Sequence, residues 1–267
     1  MTDNNSKTEP RAAAAAVRGC RYCIVDGLRG LAILNMLAYH TLWDLVYIFG
    51  VELPWYRAEA AYIWQQYICW TFIFLSGFCY PMGKRKLKRG VQVFALGLLI
   101  TAVTWIAVPE SVIVFGVLTL IGSCMLLLYP IEKFMRKMEP AAGFAVCMLL
   151  FVLTRNLNRG YLGFEALNLI KLPETLYSSY ASAFLGFPPP EFSSSDYFSL
   201  FPWIFMFAAG YFLNGFLQKR RWLTYLHAHT SSVLEYIGCH TLPIYIAHQP
   251  VIYLVCMLTV SGGCLPA

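Results

Sequence analysis

Apolar runs of about 17 to 25 residues recur along nearly the whole chain, near 24–49, 62–82, 91–108, 112–131, 141–157, 197–217 and 234–260. A helix of that length matches the hydrocarbon thickness of a bilayer. Of the 267 residues 58% are hydrophobic and 13% charged, with mean hydropathy +0.58, far more apolar than an ordinary soluble domain. The chain therefore reads as an all-α, multi-pass membrane bundle of about seven transmembrane helices. A net charge of +6 would suggest nucleic acid in a soluble protein. In a membrane protein it reports topology, because Lys and Arg gather in cytoplasmic loops. No nucleic-acid partner is expected.

The positions of the charges give the orientation. Lys84, Arg85, Lys86, Lys88 and Arg89, then Lys133, Arg136 and Lys137, then Lys219, Arg220 and Arg221 fall in every second loop. The other side receives Glu52, Glu59, the turn at Pro109 and Glu110, and the long stretch 158–196. This alternation predicts an odd number of spans, with a cytoplasmic amino terminus and an external carboxyl terminus. Residues 1–22, with Arg11, Arg18 and Arg21 and no small-residue cleavage site after an apolar core, read as a flexible cytoplasmic tail. Residues 23–260 form the membrane domain and 261–267 an external tail. Arg155 and Arg159 close the fifth run early, and 164–170 is expected to dip back at the interface. Beyond Pro188, Pro189 and Pro190, the residues Ser193, Ser194, Ser195 and Asp196 read as a helix start, with Pro202 in the first turn. The positive end of that helix would then hold an anionic or hydroxyl-rich group. Trp43, Trp55, Tyr56, Trp64 and Trp203 read as an external aromatic belt.

The first run carries four ionisable groups, Asp26, Arg29, His40 and Asp44. Ionisable groups in a membrane helix are unfavourable and point to function. At about 100° per residue they lie within roughly a 60° stripe, and at about 1.5 Å per residue Asp26 and Asp44 stand roughly 27 Å apart. Such a stripe would line a cavity crossing most of the membrane. His40 and Asp44 are spaced i, i+4, which lets a carboxylate orient an imidazole that serves as a base. In the last run, Pro243 and Pro250 predict a kink around Tyr245, His248 and Gln249. His240 lies nearer the cytoplasmic end, and His227 and His229 fall in a loop. Asp26 and Arg29, spaced i, i+3, read as a mutual pair. Ser76 and Gly77 suit close helix packing.

Nine cysteines are scattered, and Cys69, Cys79, Cys124, Cys147 and Cys256 sit in apolar runs as small hydrophobes. Cys20 and Cys23 form a lone C-x-x-C without a second pair, so no metal is expected. The sequence contains no G-x-x-x-x-G-K, G-x-G-x-x-G, G-x-S-x-G or H-E-x-x-H motif.

Five short motifs occur in order. They are Asp26-Gly-Leu-Arg29-Gly30-Leu-Ala32, Phe74-Leu-Ser76-Gly77, Phe115-Gly116-Val-Leu118, Asp196-Tyr197-Phe-Ser-Leu200-Phe-Pro202-Trp203, and Gly238-Cys-His240-Thr-Leu242-Pro-Ile244-Tyr245-Ile-Ala-His248-Gln249-Pro250. In order and spacing, from Arg21 to Leu254, they resemble the heparan-alpha-glucosaminide N-acetyltransferase catalytic domain family, in its small bacterial branch. The resemblance implies an enzyme of the cytoplasmic membrane that takes an acetyl or acyl group from acetyl-CoA inside and passes it to a sugar amine or hydroxyl outside. It also implies His40 as general base, because a histidine follows R-G at this spacing in the wider group of membrane acyltransferases. The chain departs from the family at three places. Residues 49–56 contain no histidine where the lysosomal members have theirs, Cys239 replaces an arginine, and Thr119 stands where His or Gln is common.

On this reading His40 is the base, Asp44 its orienter, and His248 with Gln249 contacts the acceptor or thioester. Arg29 and His240 guard the cytoplasmic entry, and Asp26, Tyr245, Asp196, Tyr197 and Trp203 complete the binding residues. Membrane lipids and a carbohydrate or glycolipid acceptor are the expected partners, and a homo-oligomer is compatible. Two other classes stay open: a small-molecule or lipid-linked sugar transporter, because a polar stripe with proline-broken helices also describes a substrate path, and a catalytically silent scaffold.

Overall fold

The computed structural model describes residues 22–261. The expected tails at 1–22 and 261–267 lie outside the described residues except for Tyr22 and Ser261. The chain is mostly helical, and its long helices follow the apolar runs. They are α1 Cys23–Tyr47, α2 Glu59–Cys79, α3 Lys86–Ala107, α4 Val117–Met135 and α5 Pro140–Thr154. A hairpin of β1 Tyr161–Phe164 and β2 Leu167–Lys171 follows. After it come α6 Tyr180–Leu185, α7 Leu200–Lys219, α8 Ser232–Cys239 and α9 Thr241–Ser261. Among the described residues five stretches are long and apolar enough to cross a membrane: Lys86–Ala107, Val117–Met135, Pro140–Arg159, Leu200–Lys219 and Thr241–Thr259. Helices α1 and α2 have the length, 25 and 21 residues. They lack the uniform apolarity, since α1 bears its ionisable stripe and α2 opens on Glu59 and contains Gln65 and Gln66.

The described residues pack as two compact units, one made of 22–72 together with 221–261, the other of Ile73–Arg220. In the first, glycines bring α8 against α1. A Cβ on Gly30 would fall on the carbonyl of Leu234, one on Gly238 on the carbonyl of Asp26, and one on Gly27 on the side chain of Thr230. Close backbone approach through small residues is the common way for helices to associate in a membrane. Ile33, Met36 and Ile68 form the buried centre, covered by Leu37, Tyr39, Trp64, Phe72 and Tyr245.

The last apolar run is not one kinked helix. It breaks at His240, whose φ and ψ are −109° and 26°. Pro243 explains the break: its ring would clash with the carbonyl of residue 239 in a continuous helix, whereas in the first turn of α9 its missing N–H has no consequence. Glu235, 4% exposed, ties α8 to the preceding turn. It accepts from the Thr230 N–H at 2.8 Å and the Thr230 hydroxyl at 3.1 Å, and His229 Nδ1 lies 2.8 Å away. Burial alone would raise its pKa, but these donors outweigh burial and hold it below the ordinary carboxylate value. A depressed folded pKa stabilises the protein above the unfolded value and loses that contribution as pH falls through the folded one. Glu235→Gln is therefore expected to lower the thermal midpoint at neutral pH and leave it nearly unchanged in strong acid, a difference that melting curves from pH 3 to 7 would show.

In the second unit α3 lies on α4, where a Cβ on Gly97 would meet Thr119 and one on Gly122 the backbone of Phe94. Gly77 lies against the Phe207 carbonyl and Gly210 against that of Phe74, while Asn214 Nδ2 donates to the Phe78 carbonyl at 3.0 Å. The segment expected to dip back at 164–170 is instead an antiparallel hairpin, bulged between Leu162 and Gly163. Buried Asn156 holds it by donating to the carbonyls of Glu165 and Leu167 and to Asn168 Oδ1. Nor do Ser194 and Ser195 start a helix. Ser194 Oγ accepts from the Val114 N–H and donates to the Val114 carbonyl, and Ser195 Oγ donates to the Ser111 carbonyl. Helix α7 begins only at Leu200, and Phe201 keeps extended backbone ahead of Pro202, as residues before proline do.

Candidate functional site

The stripe on α1 meets the carboxyl-terminal helix. Arg29 Nη2 donates to Thr241 Oγ1 at 2.6 Å. The rings of His40 and His248 lie 4.9 Å apart, tilted by 62°, and Gln249 Nε2 donates to Asp44 Oδ1 at 2.7 Å. These contacts ascend both helices together, so α1 and α9 run in the same direction. The stripe thus faces α9 at three levels along its length.

Asp44 is fully buried at 0% exposure, and its recorded partner is Gln249, not His40. The i, i+4 spacing placed the two residues on one face of α1 but could not show what faces them. The imidazole lies against His248 and edge-on to Tyr39, at 4.9 and 6.0 Å, while the carboxylate one turn on takes the amide. Two oxygens of this pair, Asp44 Oδ2 and Gln249 Oε1, are buried and have no hydrogen-bond partner among the described residues. Buried acceptors without donors are rare and call for an explanation.

His248 is oriented by its own helix. Its Nδ1 lies within hydrogen-bond distance of the Tyr245 carbonyl, and a carbonyl can only accept, so the proton sits on Nδ1 and Nε2 carries the lone pair. Tyr245 in turn stacks on Phe72 at 6.1 Å and touches the His248 ring at 5.1 Å. Asp26 and Arg29 form the expected pair at 3.4 Å. Arg29 also reaches Thr241, a residue whose role at the α8–α9 break was not evident from the sequence. His240 is exposed, stacks on Tyr236 at 4.4 Å and engages the Tyr236 carbonyl through Nδ1.

Asp196, Tyr197 and Trp203 belong to the second unit. Tyr197 donates its hydroxyl to the Ala183 carbonyl at 2.5 Å, and burial pushes its pKa upward. Trp203 is 4% exposed, packed on Phe151 and Phe198 with the Arg155 guanidinium 5.2 Å from its ring. It is a core residue and not part of an aromatic belt. Tyr56 is buried too, its hydroxyl donating to the Tyr39 carbonyl at 2.8 Å. Among the basic residues after α2, Lys86 is held by Glu132, which also binds Arg136 at 2.7 Å. Glu132, like Glu235, is a buried carboxylate that the sequence reading passed over. No group of three or more His, Cys, Asp or Glu side chains among the described residues is placed to hold a metal ion.

No curated protein and no solved structure matches the chain. The family model described as Heparan-alpha-glucosaminide N-acetyltransferase, catalytic, matches residues 21–250, from the start of α1 to Pro250 in α9, and so takes in both sides of the His40–His248 contact. The chain belongs to the heparan-alpha-glucosaminide N-acetyltransferase catalytic family, whose activity is that of a membrane acetyltransferase.

Proposed function

We propose that this protein transfers an acetyl or acyl group from acetyl-CoA on the cytoplasmic side to an amine or hydroxyl of an extracytoplasmic carbohydrate or glycolipid. The observation that carries this reading is the pair of imidazoles beside two buried oxygens that lack donors. As a carboxylate oxygen and an amide oxygen, Asp44 Oδ2 and Gln249 Oε1 accept hydrogen bonds, so they suit the N–H or O–H groups that an acceptor brings. The fit to the donor is at its acyl end, where two imidazoles can move a proton. Arg29 already serves Asp26 and Thr241 and acts as a clamp at the α8–α9 break.

In the reaction His40 takes the proton of the acceptor as its nitrogen or oxygen attacks the thioester carbonyl carbon. The tetrahedral adduct collapses by breaking the C–S bond. The proton passes to the Nε2 lone pair of His248 and from there to the departing sulfur, so both imidazoles return to their neutral form. Seven spans, with the amino terminus inside and the carboxyl terminus outside, suit this direction of transfer. The alternation of loop charge supports that topology, as does the parallel course of α1 and α9. The plasma membrane of a bacterial cell is the corresponding location.

Acetyl-CoA binding and thioester loss by the purified protein in detergent test the proposal, without any gradient. The wild type should bind acetyl-CoA and consume it with the acceptor or by self-acylation, and His40→Ala should slow consumption by about 10²-fold or more. Absence of binding to acetyl-CoA and to longer acyl-CoA by folded protein would overturn it and favour transport. Binding with undiminished turnover in His40→Ala would remove His40 from the mechanism.

A further inference from the structure

The second unit contains a hollow that the transfer chemistry does not use. It has a volume of about 430 Å³ and is lined by Asn158, Pro188, Pro190, Phe192, Ser193 and Tyr197 among others. That falls within the range of small-ligand sites. None of the residues lining it carries a charge, which makes it a poor place for a nucleotide or an anionic lipid headgroup. Its walls are of two kinds. Phe192 and Tyr197 supply ring surface, their centroids 4.8 Å apart, and Phe192 is fixed further by Phe115 at 6.1 Å and Tyr180 at 5.5 Å. The prolines have no N–H and offer methylene surface, and the Pro189 carbonyl accepts from the Phe192 N–H at 2.9 Å.

The polar groups sit at the margin. Ser193 is exposed. Asn158 shares its Oδ1 with the Ser199 hydroxyl at 3.0 Å, which leaves the amide N–H groups as what that side chain offers. The Tyr197 hydroxyl is engaged by the Ala183 carbonyl, so Tyr197 contributes its ring. A hydroxyl and an amide donor around uncharged ring and methylene surface match a molecule with C–H faces and a girdle of hydroxyls. We propose that this hollow binds an uncharged pyranose ring. Regarding that sugar as part of the acceptor rests on the transferase reading, whereas its binding does not.

The test is titration of the full-length protein in detergent with chitobiose, a neutral disaccharide, followed by saturation-transfer NMR, with a glucuronate-containing disaccharide as the acidic comparison. Saturable binding of chitobiose is expected, weakened about tenfold or more for the acidic sugar and for Ser193→Asp. Ser193 is exposed, so Ser193→Asp leaves the packing intact while adding a charge at the rim. Phe192→Leu, which keeps apolar bulk and removes the ring, should weaken binding to a similar extent. No saturable binding by folded wild type, or equal binding by Ser193→Asp, would overturn the inference. Acetyl-CoA consumption measured on the same preparations separates the two readings. Turnover without saccharide binding removes this site and leaves the transferase, and saccharide binding without turnover does the reverse.

Discussion

His248→Asn should lower acetyl transfer by about 10²- to 10⁴-fold while the protein remains folded. Asparagine is the informative replacement because its side-chain amide can still donate to the Tyr245 carbonyl, the contact that His248 Nδ1 makes within α9. What it removes is Nε2, the nitrogen left with a lone pair. A merely structural histidine, valued for that hydrogen bond, would be replaced with little loss, and near-wild-type turnover in His248→Asn would exclude His248 from the proton path. The readout should be thioester consumption at saturating acetyl-CoA, with acetyl-CoA affinity measured separately. The relay predicts a fall in kcat at nearly constant affinity, since neither imidazole is assigned to holding the donor.

The second large effect concerns packing. Gly30→Val should cost about 3 kcal/mol or more of stability, because the new Cβ would fall on the backbone carbonyl of Leu234 and not on a side chain that can turn aside. Relief requires α1 and α8 to separate along a seam that also includes Gly27 and Gly238. The measurement is the thermal midpoint in detergent, compared with Gly50→Ala, where nothing lies within 4 Å of the added carbon. Gly50 has a positive φ of 75°, so that control carries some backbone strain of its own and still should be the milder of the two. Equal midpoints for the two variants would show that the seam does not hold the unit together.

The runs at 91–108, 112–131 and 197–217 anticipated α3, α4 and α7 closely, because length and apolarity have one physical reading in a bilayer. The stretch 164–170 was harder, since a short apolar run has no period long enough to separate a strand from an interfacial helix. What makes it a hairpin is Asn156, outside the segment, which supplies donors to its carbonyls. Periodicity also placed His40 and Asp44 on one face of α1, yet a face does not name its neighbour. That Gln249 takes Asp44, and that His248 meets His40, depends on how far α9 is displaced by the break at His240. Glu132 and Glu235 sat near the ends of apolar runs, where charges usually reach water. Only the folded chain shows that Lys86 and Arg136 bury one of them and Thr230 the other.

Asp44 and Gln249 are 205 residues apart, and this separation has a consequence for biosynthesis. A chain made from its amino terminus presents the stripe of α1 to the membrane long before α9 exists to cover it. During most of translation those ionisable groups must be tolerated by the insertion machinery, by lipid defects or by water. The site comes into being late and at once, when the final helix enters. A ribosome that stalls between α7 and His248 releases a chain with most of its spans but only His40, one of the two imidazoles of the proposed relay.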